Sequence, residues 1–181
     1  SCFGGLVPTP NIDRVASRGL RYTNYHTPPI CSATRAALLT GRNSHSVHIG
    51  GHAAVARDYP GYDGLIPPGA GTVAENFHQA GYRTFALGKW DHLPMEEMTP
   101  AGPFRYWPTG QGFDRFYGFL SAETDNFEPL LWSNNSPVPR PAGADYHLSA
   151  DLADRAVEMI DTRSSTDTPA PFFLYFATGA A

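Results

Sequence analysis

The sequence predicts an α/β fold, a mostly parallel sheet with helices on both faces. Segments with helical periodicity alternate with short aromatic or β-branched runs, and the connections between those runs are long enough for crossovers. Hydrophobic residues make up 41% of the 181 positions, enough for a covered sheet, while charged residues reach only 17%, below the usual quarter or so. In sheets of this kind chemistry sits beyond the carboxyl ends of the strands.

The elements follow in order. Thr9-Pro10 opens a helix, with Thr as N-cap and Pro at the first helical position. Ile12, Val15 and Ala16 give it one apolar face and Gly19 ends it. Leu20 to Tyr25 alternates apolar with polar and predicts a strand. Pro28-Pro29 forces an extended approach to Cys31, and Ser32 to Thr40 reads as a helix stopped by Gly41. Residues 42–71 hold six glycines, three prolines and three histidines, a long loop of the kind that is usually functional. Thr72-Val73-Ala74-Glu75 matches a capping box, and the helix it starts runs to Gly81. Tyr82 to Leu87 predicts a strand ending at Gly88-Lys89. Residues 93–143 are rich in proline and aromatic residues and read as loop. Ser149 is expected to cap a last helix with Leu152, Ala156, Met159 and Ile160 on one stripe. Ser164 to Pro171 reads as a polar turn, and Pro171 to Phe176 as a fully buried strand.

Composition excludes several classes. A formal net charge of −4 gives no electrostatic footprint for nucleic acid or a membrane surface. The longest apolar run, Phe172 to Ala177, is far short of the roughly 18 residues of a membrane span. Cys2 and Cys31 make no disulfide framework, though one bridge is open to them. The chain starts at Ser1 with no basic-then-apolar leader, and its last strand needs partners on both edges. Both ends therefore read as cut, and residues 1–181 as part of one larger domain.

Pro29-Ile30-Cys31-Ser32-Ala33-Thr34-Arg35 sets a thiol at a helix start. Unpaired N–H groups and the dipole there favour negative charge. Arg35, four residues on, shares the face of Cys31 and adds to the pull on an anion. An inert buried cysteine beside a surface arginine is the competing reading. Cysteine-dependent phosphatases need a longer loop between Cys and Arg than the three residues present here.

Cys31-Ser32-Ala33-Thr34-Arg35, continued by Ala36-Ala37-Leu38-Leu39-Thr40-Gly41-Arg42, resembles the sulfatase active-site signature, with Ala33 where proline is commoner. Thr9-Pro10-Asn11-Ile12-Asp13 with Gly19 resembles that family's first helix. Gly81-Tyr82-Arg83-Thr84 through Gly88-Lys89 resembles its second signature, and Pro171-Phe172-Phe173-Leu174-Tyr175 the strand that follows. Four ordered motifs cover nearly the whole chain and point to the arylsulfatase branch of the alkaline phosphatase-like superfamily.

The resemblance implies a sulfuric ester hydrolase whose Cys31 is oxidised to formylglycine by a formylglycine-generating enzyme. One hydroxyl of the hydrated aldehyde attacks sulfur in line, and the other later expels sulfate. The substrate is a small sulfate ester. It implies a calcium ion held by Asp and Asn oxygens, with residue 31 the one position of this chain assigned to that metal. Paired aspartates are expected before residue 1, and an Asp-Asn pair and a second active-site histidine after residue 181. Arg35 is expected to hold the nucleophile and Lys89 to contact both nucleophile and sulfate. The family usually reads Gly-Lys-Trp-His, whereas here Gly88-Lys89-Trp90-Asp91-His92 brings the histidine one residue late. Either a bulge restores His92 to the catalytic slot, which is the favoured expectation, or Asp91 fills it. A phosphate or phosphonate ester hydrolase is the alternative, and the 181 residues alone are expected to be inactive.

Other candidates carry weaker signals. His45, His48 and His52 have metal-like spacing, but Gly50-Gly51 prevents a helix that would align them, so a solvated or substrate-facing loop is expected. Glu96-Glu97 reads as a solvated face, and Glu123 and Asp125 as candidates for substrate recognition. Tyr106, Trp107, Phe113, Phe116, Tyr117 and Phe119 read as packing rather than a substrate platform. Asn134-Asn135-Ser136 matches a glycosylation acceptor weakened by Pro137.

Overall fold

Thr84-Phe85-Ala86-Leu87 carries no charge that must stay in water, so both of its faces can be covered. In the computed structural model, which describes residues 1–164 and 170–179, this run lies in β1 (Arg83–Lys89). Strand β1 pairs in parallel with β2 (Arg115–Phe119) on one side and β5 (Phe172–Ala177) on the other. An antiparallel hairpin, β3 (Leu131–Ser133) and β4 (Ser136–Val138), extends the sheet to the order β4-β3-β2-β1-β5.

Alternation along β1 sorts the core into two layers. Ala86 faces Leu39, Ala74, Trp90, Trp107, Phe113 and Phe116, under α2 (Cys31–Thr40) and α3 (Val73–Gln79). Phe85 and Leu87 face Tyr117, Phe119, Leu148, Leu152, Ala156 and Met159, under α4 (Leu148–Ser164). The fold is thus α/β, with helices on both faces of a sheet in which β2, β1 and β5 run parallel. The aromatic residues of the 106–119 region are packing, as expected: Trp107, Phe113, Phe116, Tyr117 and Phe119 are buried.

Helix α3 starts where the capping box predicts: the Glu75 N–H donates to Thr72 Oγ1, and the Thr72 N–H donates to Glu75 Oε2. Helix α2 stops at Gly41, which takes φ 65°, a conformation that costs glycine little. The loop of residues 42–71 is packed rather than loose. Val47, Ile49, Ala53, Ile66 and Ala70 bury themselves against Ala36 on the back of α2.

Several expectations are corrected. Leu20 to Tyr25 is not a strand; Leu20 is 85% exposed and Tyr22 and Tyr25 70% each, and alternation makes a strand only where an edge and a covering layer exist. Helix α1 (Pro10–Ala16) ends before Gly19, its Ile12 and Val15 are exposed, and the Thr9 hydroxyl donates to Asp13 Oδ1 instead of capping. Helix α4 starts one residue before Ser149, whose N–H donates to His147 Nδ1. Strands β2, β3 and β4 lie in the segment read as loop. Strand β5 is half-buried and pairs on one side only among the described residues, not on two. Most of the turn expected from Ser164 to Pro171 lies outside the described residues. Cys2 and Cys31 are free thiols, so the open bridge is not made. Among the described residues, no helix is long and apolar enough to cross a membrane.

Candidate functional site

The site forms where β1 ends. Gly88 has φ 90°, and a Cβ there would stand 2.0 Å from the Ala177 carbonyl oxygen of β5. Across the register partner, a Cβ on Gly118 would stand 2.1 Å from the Gly88 oxygen. Two glycines therefore let three backbones converge, which only residues without side chains allow. Pairing then continues past the strand: the Trp90 N–H donates to the Phe119 oxygen at 2.9 Å and the Asp91 N–H to the Leu120 oxygen at 3.0 Å. The Trp90 indole N–H donates to the Tyr106 oxygen and locks the ring in the core.

Lys89 closes β1, Asp91 lies two residues on, just beyond the strand, and their side chains meet. Asp91 adopts φ 58°, a left-handed conformation that Asp tolerates better than most residues, and its side chain is 1% exposed. Its Oδ2 lies 3.2 Å from Lys89 Nζ and 3.9 Å from Arg35 Nε. The carboxylate thus faces two cations at once.

Helix α2 brings the nucleophile. Ile30, the residue before it, is extended and provides no side-chain cap, so the helix N-terminus at Cys31 stays open. Thr34 Oγ1 donates to the Pro28 oxygen and pins the extended Pro28-Pro29 segment. Arg35 reaches across to the strand ends, donating from Nη1 to the Lys89 oxygen at 2.7 Å and to Tyr175 Oη at 3.2 Å. Its Nε is buried without a hydrogen-bond partner and lies 3.9 Å from Asp91 Oδ2. Burial above all pushes the Tyr175 hydroxyl pKa up, with Arg35 opposing. Cys31 and Arg35 line a cleft of about 540 Å³ together with Thr27, Ile30, Leu38 and Phe176. Cys31 is partly exposed there rather than buried.

Ser32 ties the loop of residues 42–71 to this point. Its Oγ donates to Asp91 Oδ1 at 3.3 Å and accepts from the Ala53 N–H at 3.1 Å. That holds His52 beside Cys31, and one ligand atom each from Cys31, His52 and Asp91 lie within 4.8 Å of one another. The other two loop histidines have partners of their own: His45 Nε2 with Tyr62 Oη at 3.0 Å, His48 Nδ1 with Asp63 Oδ2 at 2.8 Å.

Of the expected site residues, Cys31, Arg35 and Lys89 converge. His92 is buried next to Asp91: it is 1% exposed and its ring centroid lies 3.9 Å from that of Trp90. Its Nδ1 lies 2.8 Å from the Trp90 oxygen, an acceptor only, so Nδ1 carries the proton and Nε2, buried without a partner, is the bare nitrogen. Burial lowers the His92 pKa to about 4, the bond to Trp90 opposing and Arg35 assisting. Asp125 caps an exposed turn, accepting from Phe127 and Glu128 N–H groups, and Glu96 is exposed. Asn134 serves the sheet, its Oδ1 accepting from the Phe116 N–H. The sequence reading missed His52 as a neighbour of Cys31, and Ser32 and Tyr175 as partners; the adjacency of Ser32 to Cys31 was the one available signal.

The donors gathered here do not suit calcium, which takes 6–8 oxygen ligands at roughly 2.3–2.6 Å. Among the described residues they are one thiol, one imidazole and one carboxylate already facing two cations.

The sulfatase family model matches residues 1–181. This chain belongs to the sulfatase family. It is 30% identical, over 97% of its length, to an uncharacterized sulfatase of Schizosaccharomyces pombe, and covers 34% of that protein. It is 33% identical over 72% of its length to an arylsulfatase of Klebsiella aerogenes, covering 27% of it. Among solved structures, that of Ps i-CgsB in complex with k-i-k-neocarrahexaose superposes with a TM-score of 0.72 at 26% identity, over 93% of this chain and 39% of that one. A protein solved with its substrate D-glucosamine-2-N,6-O-disulfate gives 0.68 at 26% identity, over 99% and 31%. The chain spans about a third of the length of these sulfatases and sulfatase-like structures.

Proposed function

We propose that this chain is the nucleophile-bearing part of a sulfuric ester hydrolase in which Cys31 is converted to formylglycine. The observation that carries the reading is the convergence of Cys31, at an open helix N-terminus, with Arg35 and Lys89 at the end of β1. Formylglycine would supply a hydrated aldehyde as the nucleophile. The residues of this chain do the rest of what can be assigned. The helix N-terminus and the positive charge of Arg35, which lines the cleft with Cys31, attract and orient the ester's anionic oxygens. Lys89 Nζ, held by Asp91, meets the charge that develops as the ester bond breaks. His92 acts as a positioning residue, fixing the Trp90–Asp91 turn from the core side.

Charge supports sulfate over phosphate. Arg35 and Lys89 supply two positive charges and Asp91 removes one. The remainder matches a sulfate monoester, a monoanion, better than a phosphate monoester, which is mostly a dianion above its second pKa of about 6. No step of this assignment runs through calcium, because the donors around Cys31 are of the wrong kind for it.

The test is the chain co-expressed with a formylglycine-generating enzyme, followed by mass spectrometry of the tryptic peptide that contains residue 31. The expected product is the aldehyde at position 31. An intact thiol in protein that hydrolyses an aryl sulfate would overturn the assignment of the nucleophile. Faster turnover of an aryl phosphate than of the matched sulfate, by the longest natural chain containing these residues, would overturn the choice of ester.

A further inference from the structure

The donor set at Cys31 is of the wrong kind for a hard cation and of the right kind for a soft one. A thiolate, an imidazole and a carboxylate are zinc ligands, and three protein donors with an open fourth position is a common zinc arrangement. We propose that, before Cys31 is converted, its thiolate, His52 and Asp91 form a binding site for Zn²⁺ that occupies the position of the nucleophile. The proposal concerns the thiol form of the chain and stands independently of which ester the converted form hydrolyses.

Three observations carry it. The three ligand atoms already lie within 4.8 Å of one another. A tetrahedral ion with bonds of about 2.0–2.3 Å spaces its donors roughly 3.5 Å apart, so about an ångström of closure completes the site. One of the donors also has capacity to spare: His52 Nδ1 is buried with no hydrogen-bond partner, whereas Asp91 Oδ2 would have to share its charge between the metal and Lys89. Buried groups left unpaired in this way cost free energy that a ligand recovers. Finally, the site has the outer support that metal ligands need. The Ser32 hydroxyl holds Asp91 Oδ1, and the same oxygen, accepting from the Ala53 N–H, holds the backbone next to His52.

Binding releases one proton, from the Cys31 thiol to solvent, and changes no oxidation state. Lys89 and Arg35 oppose the incoming charge, so the site is weaker than a closed structural zinc site. Its consequence is protection: a thiol bound to zinc is shielded from alkylation and from any enzyme that must oxidise it.

The experiment uses the chain produced without a formylglycine-generating enzyme and stripped with chelator. Iodoacetamide labelling of Cys31 and Cys2 is followed by peptide mass spectrometry, with Zn²⁺, Ca²⁺ or no added metal. Zn²⁺ is expected to slow labelling of Cys31 at least tenfold while Cys2 is unaffected, and Ca²⁺ to protect neither. Titration with Co²⁺ is expected to show a thiolate charge-transfer band. His52→Ala and Asp91→Asn should each weaken Zn²⁺ binding at least tenfold, while His48→Ala, whose partner is Asp63, should not. The proposal is overturned if Zn²⁺ leaves Cys31 labelling unchanged in the unaltered chain. It is equally overturned if Ca²⁺ protects as well as Zn²⁺, or if a folded His52→Ala chain binds Zn²⁺ undiminished.

Discussion

Asp91 holds its carboxylate 3.2 Å from the ammonium of Lys89, two residues back along the same strand end, and does so from a left-handed backbone. The pair sets the charge of the site. Asp91→Asn leaves both cations in place and raises the local charge by one. In catalytically competent protein the aryl phosphate to aryl sulfate rate ratio should then rise about tenfold, since one added charge near the transferring group is worth on the order of 1 kcal/mol or more. A ratio that stays unchanged would show that Asp91 does not face the ester.

Removal of the side chain has a separate, structural consequence. Asp91→Ala strands Lys89 and Arg35, 13% and 16% exposed, without their carboxylate. Breaking one side of a buried pair costs about 3 kcal/mol or more. Urea unfolding should show that loss, and Asp91→Asn should lose less because it can still accept the Ser32 hydroxyl.

Gly88 joins sheet geometry to the site. With φ 90° and the Ala177 oxygen only 2.0 Å from where a Cβ would stand, alanine at 88 must push β5 from β1. Gly88→Ala should destabilise by more than about 3 kcal/mol, within the class of backbone effects that reach the upper tail of point mutations. By contrast Gly69→Ala, where nothing lies within 4 Å, should fall within about 0.5 kcal/mol of the parent in the same urea titration.

His92 makes stability depend on pH. Its pKa is about 4 when folded against an ordinary 6.5. Between those values the unfolded chain takes up a proton that the folded chain refuses. Stability is therefore full above about pH 6.5 and falls as pH drops towards 4, by on the order of 3 kcal/mol at 1.36 kcal/mol per unit. His92→Gln should flatten that part of the profile of unfolding free energy against pH. A slope that persists in the variant would assign the titration elsewhere.

The legible parts of the molecule were those written in local signals. The capping box at Thr72, the stop at Gly41 and the charge-free run of β1 each act within a few residues, and each appears where expected. Strand β2 was missed because Arg115–Phe119 sits among prolines and glycines and is a strand only through its pairing with β1. The alternation of Leu20 to Tyr25 misled because periodicity reports a half-covered face only where something covers it. Cys31, Arg35 and Lys89 were legible as a group, whereas His52 reaches Cys31 through one backbone hydrogen bond from Ala53 to Ser32, which no spacing rule reveals.

Arg35 does two jobs that a lysine cannot combine. Its Nη1 donates to the Lys89 oxygen and Tyr175 Oη, while its Nε lies beside Asp91 and the residue still lines the cleft with Cys31. A lysine at 35 can satisfy the strand-end acceptors or meet the substrate anion, but its single nitrogen lacks the fixed fork needed for both. Arg35→Lys should therefore lower kcat/KM at least a hundredfold in competent protein, about 2.7 kcal/mol of transition-state stabilisation. Its unfolding midpoint should move little, because one charged donor still reaches the Lys89 oxygen. Tyr175→Phe removes only the longer of the two Nη1 contacts and should cost about 1 kcal/mol of stability, leaving kcat/KM within a few-fold. Equal losses of activity in the two variants would mean that Arg35 acts by bracing β5 rather than by meeting the anion.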